Sequence, residues 1–217
     1  MIAICYLAYF PPGVMPVREH LDNGARLNPH GCGFAVGYYA LRSMDSGDMI
    51  NRFLEVREKS LYLPALFHSR NATGDSPVTE ENLHPFFVER NEREPAWAAH
   101  NGYLFQHEGR KSDSAIFAEE ILPRYNLDDP GIRALLEQRM GPNKAVILDS
   151  DSAYILNAHL GISSPDGTWH SNRDYLGISH LRDGQCPQCH AETDLKPVCE
   201  PCEELAQRRR SLLMEAA

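Results

Sequence analysis

The stretch Ala99-His100-Asn101-Gly102-Tyr103 is a polar break between two apolar runs, Trp97-Ala98-Ala99 before it and Tyr103-Leu104-Phe105 after it. Two compatible readings follow. One is a β-hairpin: Asn-Gly between apolar residues is a strong hairpin signal, because both central positions of the tight turn need φ > 0. The other is an oxyanion site. An Asn side-chain amide beside a Gly backbone N–H offers two donors on one small surface, and Gly has no Cβ to block approach. What decides is whether a nucleophile, an anion-binding Arg and an acidic group occur elsewhere in the chain.

A chain of 217 residues can bury a good core, and one main domain with something small attached is expected. The composition changes near residue 180, which divides the chain into 1–180 and 181–217. The 21 Lys and Arg against 30 Asp and Glu leave a net charge of −9, which argues against non-specific binding to nucleic acid or an anionic membrane. No run is long enough to span a bilayer. The apolar opening lacks a basic segment and a small-residue cleavage site, so it does not read as a signal peptide. A cytoplasmic location is expected. Thiols stay reduced there, so the six cysteines are expected to be free, metal-bound or catalytic.

Residues 2–10 read as a buried strand carrying Cys5, ended by Pro11-Pro12-Gly13. Pro16 suits the first turn of a helix to about residue 25. Residues 34–40 read as a strand, 46–48 as a turn, 49–53 as its hairpin partner and 54–61 as a short helix. Residues 64–69 read as a strand that delivers His68 and Arg70 to its end, and 71–85 as a long polar loop. Further strands are expected at 86–88 and 96–100. Helices are expected at 112–122, capped by Ser112 or Asp113, and at 130–140. A hairpin is expected from 144–149 and 153–157, then a short strand at 168–171 and a charged helix at 203–217.

Four segments carry chemistry: Cys5; His68-Ser69-Arg70-Asn71-Ala72-Thr73-Gly74; Asn82-Leu83-His84-Pro85 with His100-Asn101-Gly102; and Ser112-Asp113-Ser114. In order and spacing they contain H-x-R-x-A-T, N-x-H-P, H-N-G and [ST]-D-[ST]. The set resembles the glutaminase domain of class II glutamine amidotransferases, which are N-terminal-nucleophile hydrolases. The resemblance covers about residues 4–175 and looks closest to small free-standing members. Pro11-Pro12-Gly13-Val14 is similar to their Pro-x-Gly-Val turn, and Asn28-Pro29-His30-Gly31-Cys32-Gly33 to their N-P-D-G-x-G loop.

The resemblance implies an α+β fold, a four-layer αββα sandwich, and glutamine as substrate. Cys5 would be the nucleophile that forms a thioester with the glutamine side-chain carbonyl. Its freed α-amine, titrating near ~8, would be the base. Asn101 and Gly102 would hold the oxyanion. Arg70 would pair with the substrate carboxylate and Asp113 with its ammonium. Thr73 and Gly74 would line the pocket. His68, His84 and His100 read in this pattern as structural residues that hold loops. Taken singly, each residue has a plainer reading: Cys5 a core thiol, Arg70 a surface ion pair, Asp113 a helix cap.

Cys186-Pro187-Gln188-Cys189 and Cys199-Glu200-Pro201-Cys202 form two C-x₂-C knuckles nine residues apart. Four thiolates so spaced suit one tetrahedral, closed and therefore structural Zn²⁺, with His190 a substitute ligand. No organic cofactor is expected. The appended ribbon would dock a partner protein; Arg208-Arg209-Arg210 beyond it is the place for nucleic acid, which the net acidity disfavours. No stretch long enough for a synthase domain follows residue 175, so the ammonia acceptor is expected on a separate chain. Two alternatives stay open: a catalytically silent binding module of the same fold, and an amidohydrolase for another small γ-glutamyl or amide substrate. Met1-Ile2-Ala3-Ile4 precede Cys5, and an amide nitrogen cannot act as the base because its lone pair is delocalised. Removal of these four residues, or a start at position 4, is therefore expected of an active enzyme.

Overall fold

The computed structural model describes residues 5–72, 77–90, 94–106, 109–177 and 200–215, leaving aside the side chains of residues 200–203, 205, 206, 209 and 215. The chain is mixed α and β, with two antiparallel sheets. Strands β1 (Tyr6–Phe10), β2 (Cys32–Val36), β3 (Tyr39–Ser43), β4 (Ala65–Ser69), β9 (Ile162–Ser163) and β10 (Trp169–His170) form the first sheet, in the order β3-β2-β4-β1-β10-β9. The second runs β5-β6-β7-β8, from β5 (Phe86–Val88), β6 (Ala96–Asn101), β7 (Lys144–Leu148) and β8 (Ala153–Leu156). Helices α1 (Arg18–Leu27) and α2 (Ser46–Lys59) accompany the first sheet. Helices α3 (Asp113–Ile116), α4 (Pro130–Met140) and α5 (Glu200–Glu215) accompany the second. Among the described residues no helix is long and apolar enough to cross a membrane.

The period-2 alternation of the strands sorts their side chains into separate cores. In β1, Tyr6, Ala8 and Phe10 face α1 and α2 together with Phe34, Phe53 and Phe67. Leu7 faces the other way, into a cluster shared by both sheets: Ala35 and Leu66 from the first, Ala99, Val146 and Leu148 from the second. The helix side of the second sheet holds Ala98, Ala145 and Ile147 against Phe117, Leu136 and Leu213. Leu213 is fully buried, and the Tyr125 hydroxyl donates to its carbonyl at 2.8 Å, so α5 packs on the second sheet's helices.

Helix α4 and the β7–β8 hairpin lie where the sequence places them, and the other departures have local causes. The expected turn at 46–48 and strand at 49–53 are instead the first half of α2. Asp45 caps it, accepting from the Asp48 N–H at 3.0 Å. Met49, Ile50, Phe53 and Arg57 are buried on one face, and Asp48–Arg52 and Glu55–Lys59 pair at i, i+4 on the other. The expected strand at 34–40 breaks at Gly37 (φ 53°) into the β2–β3 hairpin. The 112–122 helix keeps its Ser112 cap, which accepts from Ala115 N–H at 3.1 Å. It becomes a π-helical turn over Phe117–Ile121 and a 3₁₀ turn over Leu122–Arg124, which contains Pro123. The Asn-Gly hairpin at 101–102 is not formed. Asn101 is still paired with Lys144 in β6, and residues 103–106 are irregular.

Candidate active site

The ends of both sheets converge on Cys5. It stands just before β1, whose register with β4 pairs Tyr6 with Ser69; one step further puts Arg70 opposite Cys5. The backbone of Arg70 is fixed on its other side by Gly31, whose carbonyl accepts its N–H at 2.8 Å, and by the His30 N–H at 3.0 Å. The Asn28–Gly33 loop and the end of β4 are thereby locked together. Arg70 is 3% exposed, and its guanidinium donates to the Pro77 carbonyl at 2.9 Å.

Asn101 enters from the second sheet. It shares the face of Trp97 and Ala99, the one turned toward the first sheet. Its Nδ2 donates to the Cys5 carbonyl and, at 2.6 Å, to Ser171 Oγ. Ser171 also accepts from the Leu7 N–H at 3.0 Å, and Asn172 Nδ2 donates to the Cys5 carbonyl at 3.0 Å. Asn101 Oδ1 is buried without a hydrogen-bond partner among the described residues. Gly102 sits at φ 137°, and a Cβ there would collide with the Asn143 side chain. That position admits only glycine.

Asp113, at the start of α3, accepts from the Leu104 N–H and the Ser114 N–H, both at 2.7 Å. Its carboxylate therefore pins the segment that follows Gly102. Asn82 supports the same corner: Oδ1 accepts from the Ser112 N–H at 2.6 Å and Nδ2 donates to the Arg110 carbonyl at 2.8 Å.

Electrostatics link these groups. Burial pushes the Cys5 thiol up to about 11; the Asn71 N–H and the Arg70 charge oppose this, while Asp113 and Asp174 add to it. The Asn71 N–H approaches Sγ at 3.4 Å and the thiol faces the Asn71 carbonyl at 3.5 Å. Such a thiol is not ionised near neutrality, so any nucleophilic role requires a base that takes its proton during attack.

The three histidines have separate tasks. His100 lies on the helix side of β6, with Nδ1 2.8 Å from Ser114 Oγ and Nε2 3.1 Å from Asn143 Oδ1. His68 Nε2 meets the His100 carbonyl at 3.2 Å. His84 lies against His68, ring centres 3.8 Å apart. Among the described residues no group of three or more His, Cys, Asp or Glu is arranged to hold a metal ion.

Cys5, Arg70, Asn101, Gly102 and Asp113 are thus brought to one end of the space between the sheets. Thr73 and Gly74 lie outside the described residues, as do Cys186, Cys189 and Cys199; Cys202 falls in the first turn of α5, its side chain likewise outside them. Four residues without an assigned role in the sequence reading belong to the site. Besides Ser171 and Asn172 these are Asp174, 6% exposed, and Asn28, whose Nδ2 donates to Asp174 Oδ2 at 3.0 Å. Asn172 Nδ2 bridges the Cys5 carbonyl and Asp174 Oδ2, the latter at 3.2 Å. The signal for them was slight: a polar run, Ser171-Asn172-Arg173-Asp174, directly after a short strand. Arg57 was also missed. Fully buried, it donates to the carbonyls of Pro11, Val14, Ser60 and Leu63 and so holds the turn that follows β1. No protein-family model matches the chain, and no curated protein matches it.

Proposed function

We propose that the chain is a glutaminase of the class II glutamine amidotransferase type, folded as an αββα N-terminal-nucleophile hydrolase sandwich. The order of the apolar clusters, helix–sheet, sheet–sheet and sheet–helix, supports the layered reading. The observation that carries the function is the meeting of Cys5, Arg70, Asn101 and Asp113 from four separate segments at one end of the two sheets.

In this reading Arg70 takes the α-carboxylate of glutamine and Asp113 its α-ammonium, leaving the side-chain amide at Cys5. The Cys5 thiol attacks the amide carbonyl while its own freed α-amine accepts the proton. Asn101 Nδ2 and the Gly102 N–H receive the oxyanion; both Asn101 amide hydrogens are engaged in this state, so the oxyanion replaces Ser171 Oγ or the Cys5 carbonyl as acceptor. The C–N bond breaks, the amine returns its proton and ammonia leaves. Water then hydrolyses the thioester to glutamate. The ammonia goes to an acceptor on a separate protein.

Residues 181–217 are read as a zinc ribbon with Zn²⁺ on Cys186, Cys189, Cys199 and Cys202. Four thiolates match the metal's preference for a closed tetrahedral set. Metal analysis of protein purified without added metal is expected to give one zinc per chain; a metal-free, reduced protein would remove the ribbon.

A silent binding module is favoured by one observation: Cys5 is buried, and its nitrogen is an amide as long as residue 4 remains attached. The two readings separate on natively produced protein. A mature chain whose mass begins at Cys5, labelled there by a glutamine-analogue electrophile and releasing ammonia from glutamine, supports the glutaminase. A chain that keeps residues 2–4, stays unlabelled and releases no ammonia supports the module.

A further inference from the structure

A concave feature lies at the other end of the same strands. It is a cavity of about 380 Å³ lined by Tyr38, Phe87, Glu94, Pro95 and Trp97. Its volume is within the ~300–1,000 Å³ range of small-molecule sites. Its walls follow from the topology. Phe86 and Val88 of β5 point into the helix-side core, so Phe87 points toward the first sheet. It stands directly opposite Trp97 in the β5–β6 register, ring centres 5.4 Å apart and planes at 71°. Because β5 is an edge strand, Phe87 stays 47% exposed. The β2–β3 turn supplies the third aromatic, Tyr38, 46% exposed; its carbonyl accepts the Trp97 Nε1–H at 2.9 Å and ties the turn to the strand.

We propose that this recess binds a small ligand through a quaternary ammonium group, caged by Tyr38, Phe87 and Trp97 with Glu94 as counter-charge. Aromatic faces present negative potential, and Glu94 adds a carboxylate held by Ser150 Oγ at 3.0 Å. The neighbouring cation, Arg90, is turned to Asp149 and to the Glu94 carbonyl and is almost wholly buried. The indole N–H is already used on Tyr38, so the indole offers a ligand its face rather than a hydrogen bond. A quaternary ammonium needs none. The −9 net charge of the chain also raises the local concentration of cations. This site does not depend on the glutaminase reading.

The test uses the full chain, with choline as probe and 3,3-dimethylbutan-1-ol, its neutral isostere, as control. The chain has two tryptophans; Trp169 is 2% exposed and Trp97 lines the recess, so indole fluorescence reports on the site. Choline is expected to give a saturable change and the isostere at least a tenfold weaker one. Glu94→Gln is expected to weaken choline several-fold, and Phe87→Ala about tenfold, with thermal unfolding showing that both variants remain folded. No saturation with choline, equal binding of the isostere, or indifference to Glu94→Gln would each overturn the proposal.

Discussion

Strand β6 has two ends, and they differ in what covers them. At Asn101 the inter-sheet face is closed by the start of β1 and by Ser171 and Asn172, joined by hydrogen bonds from the Asn101 and Asn172 amides. At Trp97, about 14 Å away at ~3.4 Å per residue, the same face meets an edge strand and a turn and stays open. Both ends obey one alternation of side chains. Coverage makes one a rigid hydrogen-bonded corner and the other an aromatic recess. Substitutions should therefore cost far more at the closed end than at the open one.

The largest effect is expected at Gly102. Alanine there has to accept φ 137° and displace Asn143 from His100. Backbone strain and overpacking together are expected to cost about 2–6 kcal/mol in urea unfolding. A loss below 1 kcal/mol would mean that the corner is not rigid. Next comes Arg70→Lys, read on the processed enzyme. A single ammonium cannot reproduce the planar fork, and a loss of about 2–5 kcal/mol in kcat/KM is expected. If kcat/KM is unchanged, Arg70 is a structural anchor for the 77–80 segment and not a substrate ligand.

The closed end also predicts a pH dependence of stability. Burial pushes His68 down to about 3 and His84 well below the usual range, with His100, Arg70 and Arg42 adding like charge around His84. Both imidazoles are neutral in the folded chain, whereas unfolded histidine titrates near ~6.5. Below ~6.5 the unfolded state binds protons that the folded state refuses. Their contribution is complete above that pH and is lost as the pH falls below it, for His68 down to about 3. Each histidine steepens the loss by up to about 1.4 kcal/mol per pH unit. Urea midpoints from pH 7.5 to 5 should fall, and His84→Leu should make the slope shallower. An unchanged slope would show that His84 is not held neutral.

These contrasts also explain what could be read in advance. Helix α4 has proline at its first position and Gly141 after its end, and the strands of the β7–β8 hairpin alternate cleanly; local signals sufficed. At 46–48, Ser-Gly-Asp satisfies a turn as well as a first helical turn, and only the burial of Met49, Ile50, Phe53 and Arg57 on one face decides. The motif residues Cys5, Arg70, Asn101 and Asp113 were legible because their order along the chain is itself a pattern. Asn28 and Asp174 were not: they are 146 residues apart and meet only once β10 lies beside β1. The recess was illegible for the same reason, since Tyr38 and Trp97 are 59 residues apart and the exposure of Phe87 depends on β5 being an edge.

The smallest effect is expected at that edge. Phe87→Ala removes an aromatic pair worth about 0.5–1.5 kcal/mol. Phe87 is already half solvated, so little buried area goes with it and no closed cavity forms. The net loss should be about 0.5–1 kcal/mol, or a fall in Tm of about 1–4 °C for a chain of this size. The adjacent Phe86 is the control. It points the other way and is 1% exposed in the helix-side core, so truncating it leaves a cavity and should cost several-fold more. Differential scanning calorimetry of the two variants decides. Equal losses would mean that Phe87 is buried by something in solution, and the contrast between the two ends of β6 would fail.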